Sequence, residues 1–195
     1  MEFTTFTLGD LDTNCYLVWD DVSGEAMIID PADEGGFLSE EVLRRGLELK
    51  HIVLTHGHFD HVLGLLELNL NFPVPVWMHA GDAALLARAA ASAKHWLKRP
   101  VDPVPTHCQP LAEGLILPLG KNSLHIMHTP GHTPGSVAIF SEEYIWTGDT
   151  LFADSIGSAD NAYSNKKQLW KSVTGLKQAH AGKLALPGHG TSFLI

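Results

Sequence analysis

The chain has few cysteines, two in 195 residues, at Cys15 and Cys108. Two thiols cannot build the disulfide framework of a small secreted scaffold. Cys15 lies in an apolar run and reads as buried packing, and Cys108 has no nearby base to make it a nucleophile. Basic residues are also in short supply: 13 Lys and Arg stand against 22 Asp and Glu, a net charge of −9. A surface of that sign repels phosphate backbones and anionic lipid, so neither nucleic acid nor a membrane is expected as a partner. No run approaches the roughly 20 apolar residues of a membrane helix. Met1 to Asp10 lacks the basic-then-apolar pattern of a secretory leader. The expectation is a cytoplasmic protein with one domain over residues 1–195, long enough to bury roughly 70% of its unfolded surface.

What the chain has in excess is histidine, 12 residues with no two adjacent. Between them, short apolar runs alternate with helical patterns and glycine turns. Cys15–Trp19 and Ala26–Ile29 read as a hairpin of buried strands, and Ile52–Leu54, Val74–Met78, Leu124–Met127, Ser136–Phe140 and Tyr144–Trp146 as further strands. Leu184–Leu186 reads as a last short one. Helical spacing covers Glu34–Glu48, Asp60–Leu70, Gly81–Ala93 and Lys166–Ala179. Pro100, Pro103, Pro105 and Pro110 crowd a surface connection. The alternation predicts an α/β fold of packed layers.

Directly after the Ile52–Leu54 strand comes Thr55-His56-Gly57-His58-Phe59-Asp60-His61. In extended backbone, residues two apart point the same way, so His56 and His58 can share one ion. Asp60 and His61 fall at the turn into the next helix and suit a neighbouring ion. Imidazole with carboxylate, and no thiolate, favours Zn²⁺, Fe²⁺ or Mn²⁺ over a structural four-cysteine site. Three more candidates sit in glycine loops beside predicted strand ends: His132 in TPGHTPG, Asp149 in TGDT and His189 in PGHG. Five histidines and two aspartates can hold two ions bridged by one carboxylate and a water, an arrangement that makes a nucleophile by acidifying that water. The remaining histidines, His51, His79, His95, His107, His125, His128 and His180, read as ordinary strand or surface residues. Asp30 and Asp82 are the expected outer partners of the ligating imidazoles.

The set HxHxDH, TPGHTPGS, TGDTLF and PGHG, with Asn14-Cys15-Tyr16-Leu17 and Asp30-Pro31, resembles the metallo-β-lactamase superfamily and within it the glyoxalase II-like branch. The resemblance runs along nearly all of the chain and implies a four-layered αβ/βα sandwich with two metals at one edge, zinc first among them. It implies that His56, His58 and His132 hold one ion, that Asp60, His61 and His189 hold the other, and that Asp149 bridges them. Asp60 would also handle the proton of the attacking hydroxide.

Within the superfamily, the lactamase branch usually carries Cys at the position of Asp149, flavodiiron proteins carry Glu at that of His58, and nucleic-acid-cutting branches carry long insertions. The implied substrate is a small-molecule thioester of the S-hydroxyacylglutathione type. The implied alternatives are a persulfide dioxygenase with one iron on His56, His132 and Asp149, a lactonase or other ester hydrolase, and a metal-binding module without catalysis. Two features depart from the glyoxalase II pattern. Six residues follow His189, so the helical carboxy-terminal grip on glutathione is expected to be missing. Ser158 stands where a basic residue would meet a glutathione carboxylate, with Lys166 or Lys167 as possible substitutes. Trp96, Lys98 and Arg99 precede the proline cluster and read as a solvated turn rather than a lid.

Overall fold

Strands β2 (Thr13–Trp19) and β3 (Glu25–Ile29) are apolar at nearly every position because both of their faces are covered. In the computed structural model, which describes residues 1–195, six strands form each of two sheets. The first runs in the order β1 (Glu2–Leu8), β2, β3, β4 (Glu48–Val53), β5 (Val76–Met78), β6 (Gln109–Pro110). The second runs β12 (Phe193–Leu194), β11 (Leu184–Pro187), β10 (Tyr144–Gly148), β9 (Val137–Phe140), β8 (Asn122–His128), β7 (Ile116–Leu119).

Alternation along the strands separates three apolar layers. Cys15, Leu17, Ala26, Ile28 and Ile52 face outward from the first sheet onto Leu38 and Val42 of helix α1 (Gly35–Arg44) and Leu65 and Leu68 of α2 (Leu65–Asn71). Tyr16, Val18, Met27, Ile29 and Val53 face the other way, onto Leu124, Ile126, Val137, Ile139 and Trp146 of the second sheet. Ala138, Ile145 and Ala185 then meet Leu169, Val173 and Leu176 of α5 (Lys166–Ala179). Helix, sheet, sheet, helix is the four-layered αβ/βα sandwich expected.

Several boundaries differ from the expectations. The helix predicted over Glu34–Glu48 stops at Arg44, because Gly46 takes φ +66° and turns the chain. Leu49 and Ile52 then enter the core as part of β4, parallel to β3. The Asp60–Leu70 helix is a 3-10 turn, Phe59–His61, followed by α2. Between them the amides of Leu63 and Gly64 donate to Ala32 O and Pro31 O, which takes them out of a helical ladder. Gly81–Ala93 is likewise divided, into a 3-10 turn at Ala80–Asp82, α3 (Ala83–Leu86) and α4 (Ala89–Leu97). Strands β1, β6 and β12 had no run long or apolar enough to announce them, β7 has an apolar run that Pro118 interrupts, and β12 pairs with β11, so Leu184–Leu186 is not the last strand.

This architecture places strand ends from both sheets along one edge. The loops after β3, β4, β8, β10 and β11 meet there, and backbone bonds join them: Val137 N–H to Thr55 O (2.9 Å), Asn14 N–H to Gly188 O (2.8 Å) and Gly188 N–H to Gly148 O (3.0 Å).

Candidate metal centre

All seven candidate residues from the sequence converge at that edge. His58 lies in extended backbone just before the 3-10 turn, which carries Asp60 and His61 onward. His56 Nε2 and His132 Nε2 both approach His58 Nδ1 at 3.0 Å, and His132 Nε2 is 3.6 Å from Asp149 Oδ2. A second group forms beside it. Asp60 Oδ2 is 3.5 Å from His61 Nε2 and 3.3 Å from His189 Nε2. Asp149 reaches this group too, with Oδ1 3.5 Å from His61 Nε2 and Oδ2 3.7 Å from His189 Nε2. Asp149 therefore lies between the two groups.

The donor sets fit divalent cations on three observations. Zinc bonds of 2.0–2.1 Å in a tetrahedron put neighbouring donors about 3.3 Å apart, and the spacings here run from 3.0 to 3.7 Å. His61 Nε2 and Asp149 Oδ1 are buried and have no hydrogen-bond partner in the protein, a costly arrangement unless an ion satisfies them. Gly188 leaves the necessary room, since a Cβ there would overlap Asp149 Oδ1 and come within 2.7 Å of His61 Cε1.

Each inward-facing imidazole is held from its far side. His61 Nδ1 meets Asp30 Oδ2 at 3.0 Å, and the same carboxylate accepts from Thr55 N–H (2.7 Å) and the Thr55 hydroxyl (2.6 Å). His132 Nδ1 meets Ser158 O at 2.9 Å, His189 Nδ1 meets Leu11 O at 3.1 Å, and His56 Nδ1 meets Thr55 Oγ1 at 3.1 Å. His58 Nε2 meets the Tyr163 hydroxyl at 2.8 Å. Such partners fix ring orientation and leave the inner nitrogen as a donor. Thr13 Oγ1 donates to Asp60 Oδ2 at 3.1 Å.

Electrostatics divide the two groups. Burial pushes His56 well below the ordinary imidazole range and His58 down to about 3, and neighbouring imidazoles add to the effect. Both are thus neutral, the form that binds a cation. Burial would lower His61 as well, but Asp60, Asp149 and Asp30 outweigh it and raise it to about 10. Burial alone would raise Asp60, yet His61 and His189 hold it well below the carboxylate range. The second group is therefore rich in negative charge and draws a positive charge toward it.

Asp82 does not serve an imidazole as expected. Its carboxylate accepts from Gly57 N–H (2.9 Å), Thr133 Oγ1 (2.7 Å) and Gly135 N–H (2.7 Å), and so pins the His56 and His132 loops to each other. His79 and His128 stack with centroids 4.2 Å apart, apart from the seven candidates. Ser158 turns its hydroxyl to Asp160 and offers the site only its carbonyl. Sequence reasoning passed over Thr13 and Tyr163, which are far from the ligand motifs in sequence and carry no local signal.

A groove of about 510 Å³ opens beside the site at His58 and Asp60. His58, Asp60 and Tyr163 line it, together with Leu85 of α3, Arg88 in the turn before α4, and Trp96 of α4. Trp96, expected in a solvated turn, is exposed but lines this groove.

Fold and site together define an αβ/βα sandwich that gathers His and Asp from both sheets at one edge. The chain belongs to the metallo-beta-lactamase superfamily, whose family model matches residues 8–189. It is 34% identical over 182 residues to hydroxyacylglutathione hydrolase GloC of Haemophilus influenzae, covering 91% of this chain and 85% of that one. Among solved structures it is similar to TTHA1623 in a di-iron-bound form, with a TM-score of 0.89, 34% identity, and coverage of 98% and 94%. It is also similar to BLEG-1 B3 metallo-beta-lactamase, with a TM-score of 0.90, 29% identity, and coverage of 99% and 94%. No helix is long and apolar enough to cross a membrane.

Proposed function

We propose that the chain is a dinuclear metal-dependent hydrolase of small-molecule thioesters, with S-hydroxyacylglutathione as the substrate class. The observation that carries this reading is the pair of donor groups sharing Asp149, two members of which, His58 and Asp60, line an open groove. The likeness to GloC supports the choice of substrate. His56, His58 and His132 would hold one divalent cation and Asp60, His61 and His189 the other, with Asp149 common to both. Zinc suits this donor set, and the di-iron form of TTHA1623 makes iron the alternative.

Bound there, two cations supply Lewis acidity toward a carbonyl oxygen and an acidified water near neutral pH. The protein's own groups do the rest. Tyr163, Asp30, Ser158 and Leu11 keep the imidazoles in place. Thr13 holds Asp60 Oδ2 beside His61 and His189, and the Asp60 carboxylate is the group assigned to the proton of the attacking water. The groove holds the thioester with its carbonyl toward His58 and Asp60. Hydrolysis forms a carbon–oxygen bond, breaks the carbon–sulfur bond, and delivers the proton to the departing thiolate.

The test is turnover of S-D-lactoylglutathione by protein whose zinc, iron and manganese are quantified. Asp149→Ala and His132→Ala should each abolish turnover and remove at least one metal equivalent. Full metal content with retained turnover in both variants would end this reading. One iron per chain with oxygen consumption on glutathione persulfide would replace it with the dioxygenase.

A further inference from the structure

The groove wall carries a feature that the cation sites do not use. Ala84 of α3, Arg88 in the turn just before α4, and Ser92 and Trp96 of α4 all line the groove. The interval of four puts Ser92 and Trp96 on one face of α4. Arg88 is exposed. The chain has four arginines, and three are neutralised: Arg44 and Arg45 by Glu41, and Arg99 by Asp10 and Asp33. Arg88 has no ion-pair partner, in a protein of net charge −9 with carboxylates to spare. It is also the sole Arg or Lys among the residues lining the groove.

We propose that Arg88 is the anchor for a carboxylate on the thiol-bearing half of the substrate, and so sets which thiol carrier the groove accepts. The assignment rests on the thioester reading above. Guanidinium presents paired N–H donors that match a carboxylate in two parallel bonds. Ser92, one turn along, adds a hydroxyl, and Trp96, a further turn along, an apolar face. From Arg88 to Trp96 the helix rises about 12 Å at 1.5 Å per residue, and an extended tripeptide spans about 10 Å. The wall therefore matches a short peptidic thiol in length. One cation, with no lysine beside it, matches one carboxylate and not the several phosphates of a nucleotide-bearing thiol. Neither Lys166 nor Lys167 lines the groove, so this role does not fall to them.

The experiment uses metal-loaded protein of measured metal content and two readouts. The first is kcat/KM on S-D-lactoylglutathione and on the S-lactoyl thioester of uncharged N-acetylcysteamine. Arg88→Ala should lower the ratio of the first to the second by about tenfold or more, the scale of one charge-assisted hydrogen bond, and Arg88→Lys should recover part of it. The second is calorimetric binding of S-hexylglutathione, a thioether that cannot be hydrolysed, whose Kd should rise about tenfold or more in Arg88→Ala. Loss of binding in the variant upholds the anchor even if neither thioester is hydrolysed, in which case only the thioester reading falls. An unchanged ratio, or unchanged S-hexylglutathione binding, overturns the anchor while the hydrolase reading stands. A preference of the wild type for lactoyl-coenzyme A over lactoylglutathione also overturns it, because the anion recognised is then a phosphate.

Discussion

Replacing Asp30 with Asn tests how far the imidazoles depend on what holds them from behind. Asp30 is 1% exposed and sits at φ +52°, a left-handed conformation that Asn also tolerates. The substitution therefore acts on hydrogen bonds rather than on backbone strain. Oδ2 accepts from the Thr55 hydroxyl and faces His61 Nδ1, while Oδ1 accepts from Thr55 N–H. An Asn amide can place its oxygen at the Oδ2 position only by turning its NH2 against the Thr55 N–H. One buried donor is then left unpaired, at about 1–3 kcal/mol. The two surviving bonds change from charged to neutral acceptors and weaken by about 1 kcal/mol each. The sum, about 3–5 kcal/mol, is a large part of the 5–15 kcal/mol that typically separates folded from unfolded. Urea unfolding of chelator-treated protein should show that loss. Removing an outer partner should also weaken metal binding about 10- to 100-fold, read by zinc titration against a chromophoric competitor. A variant within 0.5 kcal/mol of wild type that binds zinc equally would refute the idea that this carboxylate positions His61.

Other consequences are open to direct measurement. Gly188→Ala should cost at least one metal equivalent while the far-ultraviolet dichroism stays native, since the added methyl occupies the space beside Asp149 Oδ1 and His61; full metal content would show that the loop gives way. Trp146 is fully buried between the sheets, so Trp146→Ala should destabilise by about 3–5 kcal/mol in urea, and a loss below 1 kcal/mol would contradict the packing described. Asp20 accepts from the amides of Ser23 and Val22, which hold it down to about 2. A lowered carboxylate stabilises fully above its unfolded value near 3.8 and loses that contribution as pH falls toward 2. The stability gap between wild type and Asp20→Asn should therefore narrow from pH 7 to pH 2.5, and a constant gap would count against it. Chelation should lower the melting temperature and added zinc restore it, by about 2.7 kcal/mol at a hundredfold excess over Kd; an unchanged transition would mean that ligand binding and folding are not linked.

The legible parts of this molecule were those with a short-range pattern. Cys15–Trp19, Ala26–Ile29 and Tyr144–Trp146 fall inside observed strands, and Ile52–Leu54 overlaps the end of β4 except for Leu54, because burial on both faces writes continuous apolar runs. His56 to His61 stood out because spacing within six residues already limits where the side chains can point. Edge strand β1 mixes Thr and Phe, exposes much of its length, and gave no comparable signal. Helix limits were hidden where tertiary bonds decide them, as at Gly64, whose amide serves Pro31. Asp82 shows the same limit at the site: its partners Gly57, Thr133 and Gly135 come from two distant loops, so its role is set by the packing of those loops. Tyr163 and Thr13 reach the imidazole and carboxylate across 105 and 47 positions of sequence.

The seven converging residues are drawn from loops on both sheets, whereas the α3–α4 wall is one uninterrupted stretch of chain. This split has an evolutionary corollary. A mutation that shifts one sheet against the other parts His56, His58, Asp60 and His61 from His132, Asp149 and His189, so the chemistry resists piecemeal change. The wall is a replaceable cassette: on the reading proposed above, a few substitutions along this one stretch can exchange the clientele while the donor residues stay as they were.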